Sequence, residues 1–66
     1  MTVVLNGERA DSRGARTVAE LAQRYDLHPN SILIEHNGFA LHQREWAERE
    51  LRESDRIEFI RVVAGG

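Results

Sequence analysis

The 66-residue sequence is long enough for one small domain and too short for a deep catalytic cleft of its own. It contains no cysteine, which excludes disulfides, thiolate metal sites and a cysteine nucleophile. The net charge of −2 comes from nine arginines and eleven acidic residues without any long block of one sign, which argues against nucleic acid as the main ligand.

Residues 1 to 7 have no basic segment and no long apolar run, so neither a signal peptide nor a membrane span is expected and the predicted location is cytoplasmic.

The chain begins with a predicted hairpin. The β-branched run from 2 to 5 is closed by Asn6-Gly7, a strong signal for a tight turn. We therefore expect a first strand over 2–5 that turns back into a second strand over 8–11.

One helix follows the hairpin. Thr17 and Glu20 form a capping box, in which the Thr17 side chain accepts from the Glu20 amide. Apolar residues then recur at i, i+3, i+4 and i+7, which predicts a helix of about two turns: Val18, Leu21, Ala22 and Tyr25. His28-Pro29-Asn30 ends it, because proline lacks an amide donor.

The second half of the chain predicts three more strands. A strand over 32–36 leads through the turn signal Asn37-Gly38 into a return strand that starts at Phe39. The polar stretch from 43 to 51 predicts a short helical turn and a loop. Trp46 in this stretch is either a recognition residue or a plug that seals the open end of a small core, and the plug is favoured because an aromatic side chain buries a large area where core area is scarce. The last strand is expected over 55–63.

The predicted order β-β-α-β-β-β indicates an α+β protein with the β-grasp (ubiquitin-like) fold. Its mixed sheet has four to five strands, one main helix lies across it, and the first and last strands run parallel at its centre. No repeat or linker divides the chain, so we expect a single domain over residues 1–63 and a flexible tail over 64–66.

Two features near the C-terminus predict contact with a partner protein. Ala64-Gly65-Gly66 lacks bulky side chains, so it can pass through a narrow channel and bring a carboxylate to another protein's active site. If Ile57 and Phe59 face the helix, strand alternation turns Ile60 and Val62 outward. With Leu33 and Val4 on neighbouring strands they predict a docking surface; the alternative is that they are isolated exposed apolar residues, which are common.

The histidines and the glutamate-rich stretch do not predict a metal or catalytic site. His28, His36 and His42 lack the spacing and companion ligands of a zinc site, so no metal is expected. Four glutamates interleave with arginines in one polar stretch and predict a solvated surface rather than paired catalytic carboxylates: Glu45, Glu48, Glu50 and Glu53.

At the level of motifs the whole chain resembles ThiS, the small sulfur carrier family of bacterial thiamine biosynthesis. The matching segments are Asn6-Gly7, Thr17-Val18-Ala19-Glu20-Leu21, Asn37-Gly38, Arg44-Glu45-Trp46, Asp55-Arg56-Ile57-Glu58 and Ala64-Gly65-Gly66. The most specific of them is Asn37-Gly38 with Trp46 nine residues after the asparagine, combined with the diglycine end.

The resemblance implies a carrier with no catalytic groups of its own. In this family a ThiF-like adenylyltransferase uses ATP to adenylate the carboxylate of the last glycine, which is Gly66 here. The adenylate is converted to a thiocarboxylate with sulfur that comes from cysteine through a desulfurase, and the thiocarboxylate supplies sulfur to the thiazole synthase ThiG. No bound cofactor is implied, because ATP is used by the activating partner.

Three alternatives stay open from the sequence. The chain is similar enough to serve as a MoaD-type carrier of molybdopterin synthesis or as a carrier for another sulfur-requiring pathway. It could also be a ubiquitin-like modifier that forms isopeptides with target lysines, since both uses pass through the same adenylate. In the last alternative it is a β-grasp interaction module whose diglycine is incidental.

Overall fold

Five strands and one α-helix make up the fold in the computed structural model, which describes residues 1–62. The elements in chain order are β1 (Thr2–Leu5), β2 (Glu8–Asp11), α1 (Val18–Arg24), β3 (Ile32–His36), β4 (Phe39–Leu41) and β5 (Arg56–Arg61). Two 3₁₀ segments, Pro29–Ser31 and Gln43–Glu48, lie in the connections. The predicted end of the last strand at residue 63 and the predicted tail of Ala64, Gly65 and Gly66 lie outside the described residues.

Both hairpin turns are formed by the Asn-Gly pairs that predicted them. Asn6 and Gly7 have φ values of 48° and 86°, and Asn37 and Gly38 have 51° and 89°. Positive φ at both central positions is the type I′ geometry, whose twist matches that of the flanking strands. These turns fix the register of β1 with β2 and of β3 with β4.

The sheet has the strand order β2-β1-β5-β3-β4. The central pair β1 and β5 runs parallel, with Val4 opposite Arg56 and Leu5 opposite Ile57, and the remaining pairs are antiparallel. A parallel pair needs a crossover, and α1 lies in the connection between the two hairpins. The predicted β-grasp fold, a mixed sheet with one main helix, is therefore confirmed.

The helix begins where its cap predicts. Thr17 Oγ1 accepts a hydrogen bond of 3.1 Å from the Glu20 amide. The Glu20 carboxylate reaches back one residue further than a standard capping box, and accepts from the Arg16 amide at 2.7 Å. The helix has seven residues and ends before Tyr25, so its stability comes from burying Val18, Leu21 and Ala22 against the sheet rather than from its length.

The core lies between α1 and the inner face of the sheet. Its members come from the helix and the loop before it, from alternate strand positions and from the segment after β4: Val3, Ala15, Val18, Leu21, Ala22, Ile32, Ile34, Leu41, Trp46, Leu51 and Ile57. Trp46 is 3% exposed, so the predicted seal of the core is confirmed. The 3₁₀ segment that carries Trp46 starts with a reciprocal cap, in which the His42 amide donates to the Glu45 carboxylate at 2.8 Å.

Candidate functional site

An exposed group of large apolar side chains lies on the outer face of the sheet, opposite the helix. Leu33 on β3 is the direct cross-strand partner of Ile60 on β5, and their side chains are 55% and 43% exposed. Val62 is 49% exposed and follows Ile60 by two residues, so alternation places it on the same face. We call Leu33, Ile60 and Val62 the apolar patch.

The inner side of β5 agrees with the alternation predicted from the sequence. Ile57 is fully buried, and Phe59 is half-buried and packs against the core. The predicted division of this strand into an inner and an outer face is therefore confirmed. That the apolar patch docks a partner stays a prediction.

Val4 does not belong to the patch, and that prediction was wrong. The parallel register places Val4 opposite Arg56, four residues before Ile60. Four residues span about 13 Å along a strand, so Val4 lies toward the other end of the face. It is also half-buried, whereas the three patch residues are exposed.

The apolar patch borders the segment for which chemistry is predicted. The Val62 amide donates to the Ser31 carbonyl at 2.9 Å, which continues the pairing of the last strand by one hydrogen bond. Val62 is the last described residue, and Gly66 follows it by four positions in the sequence. The predicted adenylation site, Gly66, and the tail residues Gly65 and Ala64 lie outside the described residues.

Sequence reasoning missed a polar cluster at the start of β5. His36 is buried at the end of β3, and its Nε2 lies 2.8 Å from Asp55 Oδ2. Arg49 Nε donates to His36 Nδ1 at 3.3 Å. Because an arginine Nε–H only donates, Nδ1 is the acceptor, and we assign the ring proton to Nε2, which donates to the carboxylate.

Asp55 joins this cluster to the backbone. Its carboxylate also accepts from Asn37 Nδ2 at 3.1 Å and from the Arg52 amide at 2.9 Å. Burial raises the pKa of Asp55, but the hydrogen bonds from His36, Asn37 and Arg52 outweigh it, so this pKa lies below its ordinary value. The Asn37 side chain in turn accepts from the Arg56 amide at 2.8 Å. The cluster fixes the point where the chain enters β5.

The alternation of Ile32, Ile34 and His36 already indicates that His36 faces inward. The sequence has no comparable signal for its partners, because Arg49 and Asp55 lie 13 and 19 positions further along the chain. His36 is bonded within the fold, while His28 and His42 are exposed.

The four glutamates of the polar stretch do different things in the structure: two accept hydrogen bonds from the backbone and two are exposed. Glu45 caps a 3₁₀ segment, and Glu53 accepts from the Thr2 amide. Glu48 and Glu50 are exposed, and neither makes a side-chain hydrogen bond or ion pair within residues 1–62. In the same part of the chain, no group of three potential metal ligands comes together and no helix is long and apolar enough to cross a membrane.

Known proteins resemble the chain over nearly all of its length. A model of the ThiS family matches residues 3–66. Uncharacterized protein ycf40 of Trieres chinensis is 23% identical over 65 residues, which make up 98% of this chain and 89% of that protein. The crystal structure of thiamine biosynthesis protein ThiS from Geobacter metallireducens has a TM-score of 0.83 at 25% identity and covers 100% of both chains. A solution structure of a thiamine biosynthesis protein from that organism has a TM-score of 0.79 at 25% identity, covering 100% of this chain and 88% of the other.

Proposed function

Because the chain belongs to the ThiS family of small sulfur carrier proteins, we propose that it carries sulfur for thiamine biosynthesis as a thiocarboxylate on the main-chain carboxyl group of Gly66. The observation that supports this most directly is the family match, which runs through residue 66 and includes both terminal glycines. The β-grasp body supplies a rigid support, and the side-chain-free glycines supply the reach.

The proposed chemistry needs a partner, because a carboxylate is a poor electrophile. In the first step the Gly66 carboxylate oxygen attacks the α-phosphate of ATP on a ThiF-like adenylyltransferase, and pyrophosphate leaves. In the second, sulfur at the oxidation level of sulfide attacks the acyl carbon, the bond to the AMP oxygen breaks, and AMP leaves. The product is a thiocarboxylate, a soft nucleophile that can give its sulfur to a thiazole synthase such as ThiG. In this proposal the chain is a carrier and co-substrate.

Deleting Gly66 should abolish sulfur loading while leaving the fold intact. The chain would be incubated with the adenylyltransferase, ATP and sodium sulfide, and the intact mass should change by one oxygen replaced with sulfur. The Gly66 deletion should show no such change, and its thermal unfolding should match that of the unaltered chain. If the deletion variant still gains sulfur, the site is not Gly66; if the unaltered chain gains none, the carrier function itself is wrong.

We further propose that the apolar patch is where the activating enzyme docks. Its three side chains are exposed, adjacent, and next in sequence to the tail. Apolar side chains at the centre of a protein interface contribute much of its affinity, so a solvent-exposed cluster beside the reacting end fits a partner's surface.

Ile60→Asp should weaken binding of the adenylyltransferase at least about tenfold, because it places a charge in a desolvated contact. The loss of stability should stay below about 1.5 kcal/mol, since the side chain is already 43% exposed and the main cost is the poor strand propensity of aspartate. Phe39→Asp is the matched control: Phe39 is 68% exposed but lies opposite His36, off the patch. Titration calorimetry without ATP measures binding alone. Equal losses for both variants would contradict the assignment of the patch.

A further inference from the structure

Two acidic side chains face each other on the same surface as the apolar patch. Glu35 on β3 and Glu58 on β5 are direct cross-strand partners. Like charges in this position destabilise a sheet. Within residues 1–62 neither carboxylate forms an ion pair or accepts a side-chain hydrogen bond. The described part of the fold therefore gives this pair no bonded counter-charge.

The arginine that lines the same depression as the pair does not form an ion pair with it. Arg56 shares the outer face of β5 with Glu58, and with Gly38 these residues line a shallow depression of about 90 Å³. No carboxylate among the described residues lies within 4.0 Å of the Arg56 guanidinium. The two glutamates and this arginine together have one net negative charge.

The acidic pair is the immediate neighbour of the apolar patch. Leu33 precedes Glu35 by two residues, and Ile60 follows Glu58 by two, so the apolar pair and the acidic pair are successive pairs on the outer face of the same two strands. Two residues correspond to about 7 Å. A protein surface that covers the patch reaches these carboxylates as well. Removing them from water without a counter-charge costs free energy, so the covering surface needs a cation there.

We propose that the adenylyltransferase surface that covers the apolar patch places an arginine between Glu35 and Glu58. This inference rests on the proposed function, because it assigns the charge of the activating enzyme's docking face. A guanidinium has five donors in a planar fork and can bond two carboxylates at once, whereas an ammonium group acts as a compact point charge. Arginine is also enriched in interfaces, where lysine is depleted.

The test measures the dissociation constant of the adenylyltransferase for the intact chain without ATP, at low and high salt. Glu35→Gln combined with Glu58→Gln should weaken binding about tenfold and reduce its salt dependence. Glu48→Gln combined with Glu50→Gln makes the same change in net charge at exposed positions on another segment, and should change binding less than about twofold. Equal binding by the Glu35 and Glu58 variant and the unaltered chain would overturn the proposal.

Two further measurements distinguish a contact with the partner from a role of the acidic pair within the fold. The Glu35 and Glu58 variant should be at least as stable to heat as the unaltered chain, because the opposed charges are gone; if it is less stable, the pair supports the fold and the proposal is wrong. The Arg56→Gln variant should bind the adenylyltransferase as tightly as the unaltered chain or more tightly, since it lacks a cation that competes for the two glutamates. A loss of affinity as large as that of the Glu35 and Glu58 variant would assign the polar contact to Arg56 instead. Sulfur loading of the unaltered chain tests the proposed function separately: if loading succeeds while the acidic pair proves neutral, this inference alone fails.

Discussion

Replacing Ile57 with alanine should destabilise the protein by about 2–5 kcal/mol, which is the usual cost of deleting most of a buried isoleucine. Ile57 is fully buried on β5, the central strand between β1 and β3. A domain of this size has a total stability on the order of 3–10 kcal/mol, so the variant should lose a large part of it. Urea unfolding followed by far-UV circular dichroism measures the loss.

Ile60→Ala is the matched control for this prediction, because it removes the same atoms from the same strand. Ile60 is 43% exposed on the outer face, so the expected loss is below about 1 kcal/mol. A larger loss for Ile60→Ala than for Ile57→Ala would mean that the two faces of β5 are exchanged. Such an exchange needs a one-residue slip, which turns every side chain of a strand to the other face.

The elements that the sequence predicted correctly are those set by local chemistry. The two Asn-Gly pairs adopt positive φ as their small side chains allow, and each pair fixes one hairpin. Thr17 caps the helix because its hydroxyl lies within reach of an amide three residues on. Alternation along β5 separated Ile57 from Ile60, since that pattern needs only the strand itself.

The errors and omissions arose where the answer depends on pairing between distant parts of the chain. Whether Val4 lies beside Ile60 depends on the parallel register of β1 with β5, which no turn specifies. The like-charge pair of Glu35 and Glu58 likewise becomes visible only when β3 and β5 are aligned. For the candidate site, the exposure of the apolar patch followed from alternation. The chemistry of Gly66 rests on family membership, because the geometry of residues 1–62 does not contain it.

Among the polar residues of the fold, we expect substitution of Asp55 to cause the largest loss of stability. The Asp55 carboxylate accepts from three donors: His36 Nε2, Asn37 Nδ2 and the Arg52 amide. Asp55→Asn replaces one of the two accepting oxygens with an NH₂ group, which can only donate. At least one donor then meets another donor. Hydrogen bonds to a charged group contribute about 1.5–3 kcal/mol each, so we expect a loss of about 2–4 kcal/mol at pH 7 in urea unfolding.

This loss should shrink in acid, because the pKa of Asp55 is lowered in the folded protein. As the pH falls below about 4, the unfolded chain takes up a proton at this residue before the folded chain does. The contribution of the Asp55 charge is therefore complete above that pH and is lost as the pH falls through the folded-state pKa. The Asp55→Asn variant lacks this contribution, so the difference in stability between it and the unaltered chain should narrow progressively as the pH falls below about 4.

Asp26→Asn is the control for this pH dependence, since it makes the same chemical change at an exposed residue. Asp26 has φ of 60°, a conformation that asparagine tolerates well, and its side chain makes no hydrogen bond within residues 1–62. The unfolding free energy of the Asp26→Asn variant should stay within about 0.5 kcal/mol of that of the unaltered chain from pH 7 to about pH 3. The opposite result is a difference in unfolding free energy between Asp55→Asn and the unaltered chain that stays constant over that range. In that case the Asp55 charge does not stabilise the start of β5, and the cluster acts through packing and hydrogen bonds that do not depend on the charge.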